Sequence, residues 1–260
     1  MNLGVAAMTD AYANVLAARA PRAYTPRELI NELVDGFVQQ HGDRHSGDDA
    51  AIIGGIGMLA GRPVTVIATN KGADLQERVA THFGGPEPWG YRFAERLMRQ
   101  AAKFKRPVLT LIDTPGAYPG MDAEAGGQGE AIAHLLLTAA RLPVPTLAVI
   151  TGEGGSGGAL ALALTDRVWM TNKSIYSILS PEGFATILWK DVTRAQEAAA
   201  VMGLTPDELL AKKVVDRIVV DTDAHFARDL RRAVAAEFAE LSANEPQVLL
   251  QKRRARFRAF

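Results

Sequence analysis

Between positions 152 and 158 the chain reads Gly152-Glu153-Gly154-Gly155-Ser156-Gly157-Gly158, five glycines in seven positions around one serine. Three chemistries use such a string. Gly154-x-Ser156-x-Gly158 has the spacing of a nucleophile elbow, in which the serine attacks with help from an acid and a later histidine. The only histidine after Ser156 is His225, in an amphipathic stretch rather than a loop. Gly152-x-Gly154-x-x-Gly157 has the spacing of a dinucleotide fingerprint, which wants an acid at the end of the next strand to hold a ribose. That strand ends Trp169-Met170-Thr171-Asn172, without one. The third chemistry needs no side chain. Backbone N–H groups at the start of a helix stabilise an oxygen that gathers negative charge, and glycine keeps a Cβ out of that oxygen's path. On this reading the donors are Gly157 and Gly158. A glycine turn that only packs a helix onto a strand would look the same in sequence.

Other residues carry weaker signals. Lys71 and Gly72 stand in a loop at a strand end, where a cation can meet an anionic ligand. Asp113 ends another strand, before Thr114-Pro115-Gly116, a place where an acid more often fixes a turn than donates a proton. Tyr118 and Phe184 are candidates for pocket walls, against ordinary packing. His41 and His45 flank Asp43 at a spacing that would pair them on a helix, but Gly42 and Gly47 make this a loop, so no metal is expected. The tail from Lys252 to Phe260, with Arg253, Arg254, Arg256 and Arg258, reads as a solvated terminus.

The elements that hold these residues follow from hydrophobic period and turn chemistry. Thr25-Pro26-Arg27-Glu28 is a capping box, and Leu29, Ile30, Leu33, Val34, Phe37 and Val38 extend one helical stripe behind it. Ala51–Leu59 and Pro63–Thr69 read as a hairpin turned at Gly61-Arg62. A strand, a glycine-containing loop and a helix then recur. The strand at 64–69 leads to a helix from Leu75, and the strand at 108–112 to a helix from Gly127 to Arg141. The strand at 146–150 enters the glycine string and a helix over 159–164. An amphipathic helix covers Tyr91–Phe104. Short strands are expected at 167–171 and 174–179, helices behind Ser180-Pro181 and Thr205-Pro206, and a long helix over 224–241. Alternating strands and helices predict a largely parallel α/β sheet. No Gly-, Ser- or Pro-rich linker divides the chain, so residues 25–260 are expected to form one domain behind a helical segment at 1–24.

The bulk numbers exclude more than they identify. With 260 residues, a net charge of +0 and no cysteine, the chain offers no field for nucleic acid, no disulfide and no thiolate metal site. No apolar run is long enough to span a bilayer and residues 1–20 lack the pattern of a signal peptide, so a cytoplasmic protein is expected. The string Gly-x4-Gly-Lys-Ser/Thr is absent, so ATP is not expected to bind here.

Several strings occur together in one order: Gly-Asp-Arg at 42–44, Ile-Gly-Gly-Ile at 53–56, Ile-Asp-Thr-Pro-Gly-Ala-Tyr-Pro-Gly at 112–120, Gly-Glu-Gly-Gly-Ser-Gly-Gly-Ala-Leu at 152–160, Ser-Pro-Glu-Gly at 180–183 and Ile-Leu-Trp-Lys at 187–190. From about Thr25 to Val220 the chain thereby resembles the alpha subunits of bacterial acetyl-CoA carboxylase carboxyltransferase. The resemblance implies a crotonase (ClpP-like) fold, with repeated ββα units in a superhelix. It implies transfer of CO2 from carboxybiotin, carried on the biotin carboxyl carrier protein, to acetyl-CoA, giving malonyl-CoA for fatty acid synthesis. A beta subunit is expected as partner in an α2β2 assembly, bringing a zinc ribbon and most acyl-CoA contacts. Biotin carboxylase is the component expected to use ATP. The chemistry needs two oxyanion holes, and the resemblance gives this chain the one for the biotin oxygen, carried onto Gly157 and Gly158. Lys71, Gly72, Gly116, Ala117, Tyr118 and Phe184 are carried over as substrate contacts, and Asn70 to Ala73 and Gly116-Ala117 are the next loops to consider for the hole. Two departures stand out. Only about 24 residues precede the Thr25 cap, fewer than in longer members, and Gly126-Gly127-Gln128-Gly129 replaces a more charged run.

Overall fold

A computed structural model describes residues 3–221 and 225–260, the side chains of 3–10 excepted. In chain order the elements are α1 (Leu3–Arg19), α2 (Pro26–Leu33), β1 (Asp35–Gln40), β2 (Ile52–Leu59), β3 (Arg62–Thr69), α3 (Leu75–Ala80), α4 (Pro88–Phe104), β4 (Val108–Thr114), α5 (Met121–Ala125), α6 (Gln128–Ala140), β5 (Thr146–Gly155), α7 (Ser156–Ala163), β6 (Arg167–Thr171), β7 (Ile175–Ser177), α8 (Pro181–Trp189), α9 (Ala195–Met202), α10 (Pro206–Ala211), β8 (Arg217–Val219), α11 (Phe226–Ser242) and α12 (Pro246–Phe257).

The described strands form one sheet in the order β1-β2-β3-β4-β5-β6-β8, with β7 paired to the far end of β5. β1, β2 and β3 run antiparallel, and every pairing from β3 onward is parallel. The central strands are apolar on both sides because both faces are covered. Ile67, Val108, Ile112 and Ala148 pack with α4, α6 and α7 on one face. Val66, Leu109, Leu111 and Val149 pack with α2 and α11 on the other. The carboxyl ends of β3, β4 and β5 therefore emerge side by side, the edge at which open α/β sheets place ligands.

Three expectations change. The stripe behind Thr25 does not stay helical. The capping box forms and the helix buries Leu29, Ile30 and Leu33, but Val34 is already extended and Phe37 and Val38 lie in β1. Gly36 at φ 61 breaks the helical path, and β-branched Val38 suits a strand. Second, the glycine string is strand as far as Gly155, where a loop was expected. The missing side chains let neighbours close in: a Cβ at Gly154 would lie 2.9 Å from the Tyr176 ring of β7.

The third correction is the basic tail. Arg253 lies on α12 and is buried, its guanidinium on Asp166 (2.9 and 2.7 Å) and on the carbonyls of Ala139, Leu142 and Val144. Arg256 pairs with Asp216. Long helix α11 begins at Phe226; Ala224, where its start was expected, and Met1 and Asn2 lie outside the described residues.

Candidate functional site

α7 opens directly from the end of β5, with Gly155 as its N-cap and Gly157 and Gly158 in its first turn. The first N–H groups of a helix have no carbonyl one turn back to bond, so they are available to something else. The two glycines have different surroundings. A Cβ at Gly157 would meet nothing within 4 Å, whereas one at Gly158 would lie 2.5 Å from the Ala117 amide nitrogen and 2.5 Å from the Tyr91 hydroxyl. The bare Cα of Gly158 thus makes room for the neighbouring loop rather than for a substrate oxygen. Only Gly157 faces open space in that direction.

The neighbouring loop follows β4. Gly116 sits at φ 137, which glycine tolerates and other residues rarely adopt. Thr114 holds it: the Oγ1 accepts from the Gly116 N–H and donates to the Gly116 carbonyl, both at 3.0 Å. Pro115 presses on the glycine strand, where a Cβ at Gly155 would be 2.0 Å from its carbonyl oxygen. The Tyr118 ring stacks on His82 with centroids 3.7 Å apart. Its N–H donates to the Pro86 carbonyl, and buried Gln128 donates from Nε2 to the carbonyls of Pro86 and Tyr118. The Gly116-Ala117-Tyr118 loop is thereby packed against the first turn of α7 at Gly158.

Lys71 and Gly72 lie next door, in a cavity of about 450 Å³ with Arg19, Tyr24, Asp113 and Glu153. The Lys71 ammonium sits between Asp113 (2.6 Å) and Glu153 (2.7 Å), so its charge is already matched. Asp113 also accepts from the Glu153 N–H at 2.9 Å, and its own N–H donates to Thr69 at 2.6 Å. Here the aspartate ties three strand ends together, while the turn it was expected to fix is held by Thr114 instead. Arg19, at the end of α1, reaches Glu153 (2.9 Å) and Glu182 of α8 (2.7 Å). Burial raises the Glu153 carboxyl, but Lys71 and Arg19 outweigh it and hold it below the ordinary value. Phe184 does not line this cavity: it is half-buried on α8, edge-on to Trp189 at 5.5 Å.

Ser156 is exposed and adopts φ 53, a left-handed backbone that costs a non-glycine residue roughly 1–2 kcal/mol. A nucleophile elbow is strained in this way, but so is any abrupt strand-to-helix turn. Among the described residues no group of three or more His, Cys, Asp or Glu could hold a metal, and no helix is long and apolar enough to cross a membrane. The sequence reading gave no role to Arg19, His82 or Gln128. Nothing local marks Arg19, since its partners are 134 and 163 residues away. Gln128 was visible only as the one large side chain in a glycine run.

Comparison with known proteins gives the family and the fold. The family model described as acetyl co-enzyme A carboxylase carboxyltransferase-like matches residues 5–260. The acetyl-coenzyme A carboxylase carboxyl transferase subunit alpha of Streptococcus thermophilus is 49% identical over 256 residues, 97% of this chain and 100% of the relative. That of Streptococcus pneumoniae is 50% identical over 249 residues, 95% of this chain and 98% of the relative. Among solved structures, a transcarboxylase 12S chain superposes with a TM-score of 0.74 at 19% identity, over 91% of this chain and 45% of that one. A chain of a Pseudomonas malonate decarboxylase hetero-tetramer superposes with a TM-score of 0.67 at 19% identity, over 88% of this chain and 87% of that one. These neighbours carry the expected crotonase-type carboxyltransferase fold. The chain belongs to the acetyl co-enzyme A carboxylase carboxyltransferase-like family.

Proposed function

We propose that this chain is the alpha-type half of a biotin-dependent carboxyltransferase that, with a beta subunit, moves CO2 from carboxybiotin to acetyl-CoA. The observation that carries the reading is identity near one half over almost the whole length of relatives bearing that name. The site's chemistry fits. Carboxybiotin on a carrier protein would supply the carboxyl group, and this chain would stabilise the oxygen left negative when that group departs. The N–H of Gly157 is our first donor, because the space beside it is open. Gly158 supplies the next N–H of the turn. Ala117, packed against Gly158, supplies a donor from the facing loop. Such donors are fixed before the reaction starts and need no reorganisation, which is why losing one costs about 10²–10³ in rate.

Lys71 and Gly72 would face substrate from the cavity, with Tyr118 as a further wall from the neighbouring loop; Phe184 does not line that cavity and takes no substrate contact in this reading. With its charge held by Asp113 and Glu153, Lys71 orients the strand ends more than it attracts an anion. The second oxyanion, on the acetyl thioester, is left to the beta subunit. Exposed apolar residues around α8 support a protein partner there: Ile178 is 81% exposed, Ile187 and Leu188 61% each, and Val192 55%. The zinc, the carrier, biotin carboxylase and the ATP step belong to the partners in this reading. The test is to co-purify the chain with a cysteine-rich beta subunit and measure malonyl-CoA-dependent carboxylation of biocytin. Turnover supports the reading; an inactive, well-folded complex contradicts it.

A further inference from the structure

We propose that Thr114 is a positioning residue that aims the Ala117 N–H at the substrate oxygen, making Ala117 the partner donor to Gly157. The inference rests on the oxyanion reading above and assigns a role to a side chain that does not itself touch substrate.

Thr114 is the last residue of β4 and is fully buried. Its hydroxyl bonds one residue twice, accepting from the N–H of Gly116 and donating to its carbonyl, each at 3.0 Å. That carbonyl and the N–H of Ala117 are the two ends of one planar peptide unit. Fixing the carbonyl end therefore fixes the direction of the N–H. A donor on the carbonyl also polarises the unit and strengthens the N–H as a donor. Gly116 at φ 137 is free to rotate in a way no other residue is, so something must hold it.

One face of the same peptide is closed. The point where a Gly158 Cβ would stand is 2.5 Å from the Ala117 nitrogen, 2.9 Å from the Gly116 carbonyl carbon and 2.5 Å from the Tyr91 hydroxyl. Tyr91 is fully buried and its hydroxyl has no hydrogen-bond partner among the described groups. The peptide is thus bonded by Thr114 and walled by Gly158 and Tyr91, while the adjoining first turn of α7 opens at Gly157.

The experiment is a Thr114→Val, Thr114→Cys and Thr114→Ser series in the complex with the beta subunit, assayed by malonyl-CoA-dependent carboxylation of biocytin. Valine keeps the shape and loses the hydroxyl, cysteine keeps a weak donor, and serine keeps the hydroxyl. We expect kcat to fall about tenfold or more in Thr114→Val, less than the 10²–10³ of a lost donor. Thr114→Cys should lie between valine and serine, and Thr114→Ser near wild type. KM for biocytin should hold, because binding does not depend on the aim of this N–H. Equal kcat across the series, or a loss that only tracks the folded fraction, overturns the proposal. If Thr114→Val does not fold, cysteine against serine decides, and equal kcat in those two overturns it as well. An inactive wild-type complex would instead overturn the functional reading on which the proposal rests.

Discussion

Gly157 and Gly158 look alike in sequence, and the space around them separates their roles. At Gly157 a side chain would enter open space; at Gly158 it would strike Ala117 and Tyr91. Gly157→Val should therefore lose about 10²–10³ in exchange rate with little change in melting temperature. Gly158→Val should instead lose stability, by about 1–3 kcal/mol or more, as an overpacked site does. Ser156→Ala in the same assay should keep most activity, since the donors are backbone. A loss beyond roughly a thousandfold with an intact fold would make the serine a nucleophile. The glycine string was legible as a strand-to-helix junction, because an apolar run enters it and helix formers leave it. Which glycine faced outward was not legible, because that depends on the Gly116-Ala117 loop 40 residues earlier in the chain.

At the scale of elements, caps and central strands were readable because their causes are local. Thr25 with Glu28 and Thr205 with Glu208 form the two capping boxes that their spacing announces. The Phe37–Val38 strand was misread because one apolar stripe serves a helix and then a strand, and Gly36 was the warning. The tail was misread because charge in sequence says nothing of a buried partner. Arg253 bonds the Ala139 carbonyl near the end of α6, and that helix begins at Gln128, the brace of the Tyr118 loop. Arg253→Met should leave Asp166 buried without its cation and cost about 3–5 kcal/mol, read by urea denaturation. A loss under ~1 kcal/mol would mean α12 is not anchored there.

Asp49 gives an element-scale pH test. It joins the start of β2 to the N-cap of α4 by accepting from the N–H groups of Ala51 and Glu87, both at 2.8 Å. Burial outweighs those bonds and pushes its carboxyl from 3.8 up to about 6. The folded state then holds a proton that the unfolded chain has released, so this group adds stability as pH falls from above 6 toward 3.8. Glu153 and Glu182 act oppositely, but only below their ordinary 4.5, since both are depressed in the folded state. Between 4.5 and 6, wild type should gain unfolding free energy relative to Asp49→Asn. A difference that stays constant across that window contradicts the burial account.

At the scale of the molecule, a hairpin feeding a parallel sheet brings three strand ends to one edge, and Arg19, Lys71, Asp113, Glu153 and Glu182 lock that edge by charge. The order of these units was legible in the alternation of strands and helices. The closure by α1 was not, because alanine-rich helices carry little pattern. On the proposed reading the edge offers one set of backbone donors for a reaction that develops charge on two oxygens, so this chain should be half of a site. The measurement that bears most directly on this is a titration: hold the chain fixed, add purified beta subunit, and follow malonyl-CoA-dependent carboxylation of biocytin. We expect no turnover by either protein alone and a rate that rises to a plateau at one beta subunit per chain. Substantial turnover by this chain without a partner would contradict the account.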